Sequence, residues 1–314
     1  MRSYSLIAPA KINLYLEIIG NAPGGYHELA MVLQSISLAD RVHLRANGTQ
    51  RFQCHCSNAQ VPQDRTNLAY RAAELMAKQF PEVFSRYGGV DIYIQKQIPM
   101  AAGLAGGSSN AAAVLVGLDL MWQLGLTQPE LQQLAAQFGS DIPFCVSGGT
   151  ALATGRGEIL EPLKDLGQLS VVLAKYRSLE ISTAWAYGTY REKFGHTYVS
   201  EPEELLERRQ RFHSGSMISA IGDRDGRKIG QLLYNDLEKV ALPAYPQVAQ
   251  LRDAFEKTDI LGVMMSGSGP TVFALAESPE KAQQAMETVK NTLNHPDLDF
   301  WVAQLNPTGI QLAD

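Results

Sequence analysis

The stretch PMAAGLAGGSSNAAA, residues 99–113, decides how the rest of the chain is read. It joins a strand-like run, residues 90–94, to residues 108–124, whose Ala, Val and Leu content predicts a buried helix. Gly103, Gly106 and Gly107 let the backbone turn tightly and approach a ligand without a side chain in the way. Ser108, Ser109 and Asn110 stand where the helix is expected to start, and each suits an N-cap. A glycine loop feeding a helix N-terminus offers unpaired N–H groups and the positive end of the helix dipole, a site for a polyphosphate. The same residues also fit a close-packed loop ahead of a serine-capped core helix, and the residues alone leave both readings open. No GxxxxGK[ST] is present and no GxGxxG follows a strand, which excludes a P-loop and a dinucleotide fingerprint.

Toward the N-terminus, residues 12–18 alternate as a strand and residues 20–25 are turn-rich. Further strand-like runs cover residues 31–38, 41–44 and 51–55, and residues 67–80 carry helical spacing. Toward the C-terminus, helices are expected at 130–138, 182–194, 202–212 and 281–293, and strands at 169–174, 260–266, 271–276 and 300–305. The polar stretch from 202 to 228 has little apolar surface to bury and reads as surface or partly mobile. Strand clusters separated by helices, without regular βαβ alternation, predict an α+β fold. The length of 314 residues fits two domains, 1–160 and 161–314, with the boundary between Thr154 and Gln168 and a turn at the GRGE segment, 155–158.

Composition narrows the functional classes. Twenty-seven Lys and Arg against 32 Asp and Glu give a net charge of −5, which argues against non-specific binding to nucleic acid or an acidic membrane. No apolar run approaches the ~20 residues that span a bilayer, and no leader pattern opens the chain. A cytoplasmic protein is expected, with no nucleic-acid and no membrane partner. Three cysteines cannot build a disulfide framework, and Cys54-His55-Cys56 reads as strand alternation rather than a zinc site, since no second ligand pair accompanies it.

Three further segments carry chemistry. Ser266-Gly267-Ser268-Gly269-Pro270 lies between two apolar runs and is either a simple hairpin turn or the wall of an anion pocket. Lys11 interrupts an N-terminal strand otherwise apolar or uncharged from Ser3 to Leu16, either snorkelling from an edge or reaching into a site. Asp141, in GSDIPF, is either a turn aspartate before proline or a base. An anion loop, a cation and a base together are the parts for phosphoryl transfer to a hydroxyl group.

AKINLYL, PMAAGLAGGSSNAAA and MSGSGPTVFAL, in that order and spacing, resemble the three motifs of the GHMP small-molecule kinases over nearly the whole chain. PAKINLYL, GYHEL, GSDIPF and NDLE resemble the branch that acts on cytidine-diphospho-methylerythritol in the non-mevalonate route to isoprenoid precursors. The resemblance implies a two-lobed fold with the site in the cleft between lobes, ATP as cosubstrate with Mg2+, a small-molecule acceptor, and a monomer or weak homodimer. It makes Lys11 and Asp141 the catalytic pair. Pro99, Met100, Ala101, Ala102, Gly103, Leu104, Ala105, Gly106, Gly107, Ser108 and Ser109 become the loop around the ATP phosphates. Asn13 would line the acceptor hydroxyls and Thr183 would lie near the substrate. His27 would hydrogen-bond the cytosine, with Tyr26 and Tyr187 on its two faces. Ala101, Ala102 and Ala105 stand where the family often has glycine, and Gly25 stands where an aspartate is common. Homoserine- or mevalonate-type kinases and a non-catalytic ligand sensor are the competing readings; the paired aromatics weigh against the first and the intact Lys11 and Asp141 against the second.

Overall fold

Two long strands, β1 (Ser3–Asn21) and β2 (His27–Ala46), pair antiparallel along almost their whole length and form the spine of the computed structural model. The structure describes residues 2–313 apart from 168, 200 and 214. The runs at 31–38 and 41–44, expected as two strands, are one, because β2 continues through Ala39 and Asp40 while still paired to β1. Register shifts interrupt the pairing between Pro9 and Lys11, Asn13 and Tyr15, and Ile18 and Gly20. Such irregularities re-aim side chains. At the first of them the Lys11 N–H donates to the carbonyl of Leu104 at 3.1 Å, tying the strand to the glycine loop.

Around this pair lie β3 (Gln53–Cys56), β4 (Val90–Gln95), β5 (Thr150–Gly155) and β6 (Ile159–Pro162). The sheet runs β3-β4-β2-β1, with β5 also on β2 and β6 on β5. A second, antiparallel sheet has the order β11-β7-β10-β9, built from β7 (Ser170–Tyr176), β9 (Gly262–Met265), β10 (Val272–Ala276) and β11 (Leu298–Gln304). The C-terminal half also returns to the first sheet, through the short β8 (Tyr234–Asn235) and β12 (Gln311–Leu312), both on β1. The GRGE segment is the turn between β5 and β6, and Gln168, the far bound of the expected junction, lies outside the described residues.

Helices Leu68–Gln79 and Gly106–Trp122 cover one face of the first sheet. Gly117 lets the second helix lie close on that sheet, since a Cβ there would stand 2.4 Å from Leu44 Cδ1. Ile12, Leu14, Val32 and Ile36 pack with Leu173, Phe273 and Leu275 of the second sheet, so the two sheets share a core. The polar stretch 202–228 departs from its expected role as surface only in its second half, from Ser216 onward. Helices Ser216–Asp223 and Gly226–Gln231 bury Met217, Ala220, Ile221 and Ile229 in that same core; Ser214 lies outside the described residues. Charge averaged over the whole stretch hid a 3.6-residue apolar stripe only one or two turns long. Among the described residues no helix is long and apolar enough to cross a membrane.

Candidate active site

A cleft of about 1030 Å³ opens where β1, the glycine loop, helix Thr183–Phe194 and the SGSGP turn converge. Lys11 and Asn13 enter it from β1, Asp141 from the start of helix Ile142–Ser147, and Gly267, Ser268 and Gly269 from the turn. Of the predicted site residues, only Ser109 stays out of the lining. It is fully buried beside Cys145.

The loop differs from its expected form at the helix start. The helix begins at Gly106, two residues early, and its N-cap is Ala105 at φ 55° with no side-chain cap from Ser108, Ser109 or Asn110. Ala101 also has a positive φ, 45°. A left-handed alanine costs about 1–2 kcal/mol, so this loop holds strain where a glycine would hold none. The glycines make room for protein as well. A Cβ on Gly106 would stand 2.7 Å from Lys96 Nζ, and one on Gly103 would stand 2.1 Å from the carbonyl of Ser266. Ser266 Oγ donates to the Gly103 carbonyl at 3.1 Å, so the two glycine segments face each other directly.

Beneath the loop, Asp40 is fully buried and fully used. Oδ1 accepts from the N–H groups of Gln97 and Ile98, and Oδ2 from Lys96 Nζ at 2.6 Å and Asn110 Nδ2 at 2.8 Å. This carboxylate fixes the exit of β4 and the first turn of the loop helix relative to each other. The ammonium of Lys11, 5% exposed, donates to Asn13 Oδ1 at 2.7 Å and stands 3.9 Å from Asp141 Oδ2. Asp141 does not cap the helix that follows it, which leaves its carboxylate for the cleft.

Tyr26, His27 and Tyr187 line the same cleft. Tyr26 is 52% exposed, with the Arg156 guanidinium 4.8 Å from its ring centroid. His27 is buried against Tyr187, ring centroids 5.0 Å apart and tilted by 35°. Among the described residues its Nε2 has no hydrogen-bond partner, and burial, helped by the charge of Arg191, pushes its pKa down to about 4. The ring is therefore neutral at physiological pH. Burial likewise pushes the Tyr187 hydroxyl up, with Asp141 and Asp236 adding to the effect. Thr183 Oγ1 and Ser268 Oγ are 3.0 Å apart, bridging the helix to the turn.

Lys96, Asn110, Arg156 and Arg191 also line the cleft, although the sequence reading gave them no role there. Arg191 stands four residues beyond Tyr187, one helical turn, and that spacing was a signal available for finding it. Its guanidinium donates to the carbonyl of Gly25 at 2.6 Å, holding the Tyr26 turn to the helix that carries Tyr187. Cys54 points inward in β3 and His55 outward, the alternation the spacing predicts. Among the described residues no three His, Cys, Asp or Glu side chains group to hold a metal ion.

A glycine loop against a second glycine turn, with a lysine and an aspartate between them, is the arrangement of a small-molecule kinase of the GHMP class. The model of the GHMP kinases N terminal domain matches residues 67–149, and that of the GHMP kinases C terminal domain matches residues 217–295. The chain belongs, within that class, to the 4-diphosphocytidyl-2-C-methyl-D-erythritol kinase family. It is 64% identical over 313 residues to the kinase of that name from Trichodesmium erythraeum, covering all of both chains. It is 56% identical over 314 residues to the one from Synechocystis, again over the full length of both. A crystal structure of 4-(cytidine 5'-diphospho)-2C-methyl-D-erythritol kinase superposes with a TM-score of 0.73 at 32% identity, covering 96% of this chain and 99% of the other. A homoserine kinase from Cytophaga hutchinsonii superposes with a TM-score of 0.77 at 17% identity over 100% and 98%, which shows the shared fold alone.

Proposed function

We propose that this chain transfers the γ-phosphoryl group of ATP to the 2-hydroxyl of 4-diphosphocytidyl-2-C-methyl-D-erythritol. The observation that carries the reading is the Lys11–Asp141 pair, in one cleft with the glycine loop and the aromatic residues Tyr26, His27 and Tyr187. Asp141 takes the proton of the acceptor hydroxyl as its oxygen attacks phosphorus, in the role of a general base. Lys11, held by Asn13, keeps Asp141 oriented and adds positive charge beside the acceptor oxygen. The loop of residues 99–108 wraps the polyphosphate, and its N–H groups oppose the charge on the transferring group.

The donor set fits magnesium held chiefly by phosphate and water, since that ion commonly takes only one or two carboxylates from a protein. Ser108, which lines the cleft from the loop, would lend one oxygen donor to its shell. When bound, the ion neutralises charge on the phosphoryl oxygens. One nitrogen of the neutral imidazole of His27, as donor or acceptor according to the tautomer, would face the cytosine edge, with Tyr26 and Tyr187 on the faces of the base. A cytoplasmic monomer or weak homodimer belongs to the same reading.

The test is ADP release with ATP and this acceptor, with the product identified by 31P NMR as the 2-phosphate. Equal or faster turnover of homoserine or mevalonate would replace the acceptor; ATP binding without turnover of any alcohol would make the protein a sensor.

A further inference from the structure

The NDLE segment, residues 235–238, marks the resemblance to the family but has no part in the reaction as proposed above. We infer that Asn235 is a positioning residue for phosphoryl transfer, acting by fixing the SGSGP turn against the strand that carries Lys11 and Asn13. The inference rests on the phosphoryl-transfer reading.

The segment holds two elements at once. On one side β8 pairs in parallel with Tyr15 and Leu16 of β1. The N–H of Asp236 donates to the Leu16 carbonyl at 2.9 Å, and Asp236 Oδ2 accepts from the Ile18 N–H at 2.7 Å. On the other side Asn235 Nδ2 donates to the carbonyls of Met265 and Gly267, both at 2.8 Å. Glu238 Oε1 accepts from the N–H of Met265 at 2.8 Å. The remaining part of the Asn235 amide, Oδ1, accepts from the Leu237 N–H at 2.9 Å and so fixes which way the amide faces. Asn235 is 3% exposed, so these bonds form away from water and their loss leaves two carbonyls bare.

Gly267 is the residue through which this clasp reaches the chemistry. A Cβ there would stand 3.3 Å from Lys11 Nζ and 3.4 Å from Asn13 Oδ1, and its φ of 56° keeps the turn in a left-handed conformation. The same position lies 3.2 Å from the Gly103 carbonyl, so the turn touches the catalytic lysine and the phosphate loop together. Movement of the turn alters where Lys11 and the loop stand relative to the acceptor. Misplacement of reacting groups by about 1 Å can cost about a hundredfold in rate. An amide that merely filled the core would affect stability and leave turnover by folded molecules unchanged.

The full chain is assayed with ATP and the cytidine-diphospho acceptor as wild type, Asn235→Ala and Asn235→Ser, with thermal unfolding followed by circular dichroism. For Asn235→Ala, measured well below its midpoint, kcat is expected to fall about 10- to 100-fold while KM for both substrates stays within about threefold. Asn235→Ser, which keeps one donor, is expected between it and wild type, and carries the test if the alanine variant fails to fold. A kcat within twofold of wild type in the folded variant overturns the inference. So does a loss that only matches the unfolded fraction, or a rise in KM at unchanged kcat. Absence of turnover in the wild type itself would instead overturn the phosphoryl-transfer reading, and the inference with it.

Discussion

The ammonium of Lys11 and the carboxylate of Asp141 stand 3.9 Å apart, an ion pair rather than a hydrogen bond, because the lysine spends its short contact on Asn13. That spacing leaves the carboxylate free to receive a hydroxyl proton. Asp141→Asn keeps the size and polarity but cannot take the proton, so kcat is expected to fall about 10²–10⁴-fold with ATP affinity little changed. Steady-state kinetics beside calorimetric ATP binding check it, and a loss under tenfold removes Asp141 from the mechanism.

Glycine-loop variants should act through protein contacts before they act on a nucleotide. The Cβ of Gly106→Val would press on Lys96 Nζ, 2.7 Å away, and on the Ile98 side chain, disturbing the ion pair with Asp40. Overpacking of this kind costs about 1–3 kcal/mol. The expected result is a lower urea midpoint together with weaker ATP binding. Wild-type stability with ATP affinity lost would restore the simpler picture, in which the missing side chain only makes way for phosphate.

The depressed pKa of His27 gives a pH dependence with a definite sign. The folded imidazole stays neutral down to about pH 4, while the unfolded chain takes up that proton near 6.5. From pH 6.5 down to about 4, protonation therefore favours the unfolded state, at up to about 1.4 kcal/mol per pH unit. Above 6.5 the group contributes no slope. Chemical denaturation of wild type and His27→Gln across this range isolates the effect, because the difference in stability between them should be flat above 6.5, with wild type losing stability relative to the variant below it. Arg191→Met removes the lesser cause of the depression and should raise the lower end of the window; an unmoved window would leave burial as its whole cause.

What the sequence carried, and where it fell short, follows from the range of each interaction. The helix at 67–80 was legible because Asn67 caps it locally and its apolar spacing is regular. The glycine loop was legible as a backbone-approach site, yet its helix start was misplaced, because Ala105 adopts a left-handed conformation that alanine rarely takes. Lys11 and Asp141 are 130 positions apart, and no local pattern could join them; the family resemblance did. The structural roles of Asp40 and Asn235 stayed invisible for the same reason, since their partners at residues 96–110 and 265–267 become neighbours only when the sheets assemble.

The acceptor's base should be recognised by the two tyrosines, and their surroundings predict different side effects. Tyr26 is half exposed, at the end of a turn held to its helix by Arg191, so Tyr26→Ala removes a ring without opening the core. Tyr187 lies against His27 and packs on the large core shared by the sheets, so Tyr187→Ala should also lower the unfolding midpoint. Stacking of an aromatic ring on a base is worth about 1–3 kcal/mol. At about 1.4 kcal/mol per tenfold, either change should weaken acceptor binding roughly 5- to 150-fold. ATP binding should barely move in Tyr26→Ala, because in the proposed reading Tyr26 meets the acceptor's base while the ATP phosphates lie on the glycine loop. Methylerythritol phosphate without the cytidine should be a very poor acceptor for the wild type. The measurements are KM for both substrates in wild type and each variant, with circular dichroism for folding. Equal losses for ATP and acceptor in Tyr26→Ala would mean a packing defect. An unchanged acceptor KM in both variants would sink the sandwich, and with it the structural reason for preferring this acceptor over those of other GHMP kinases.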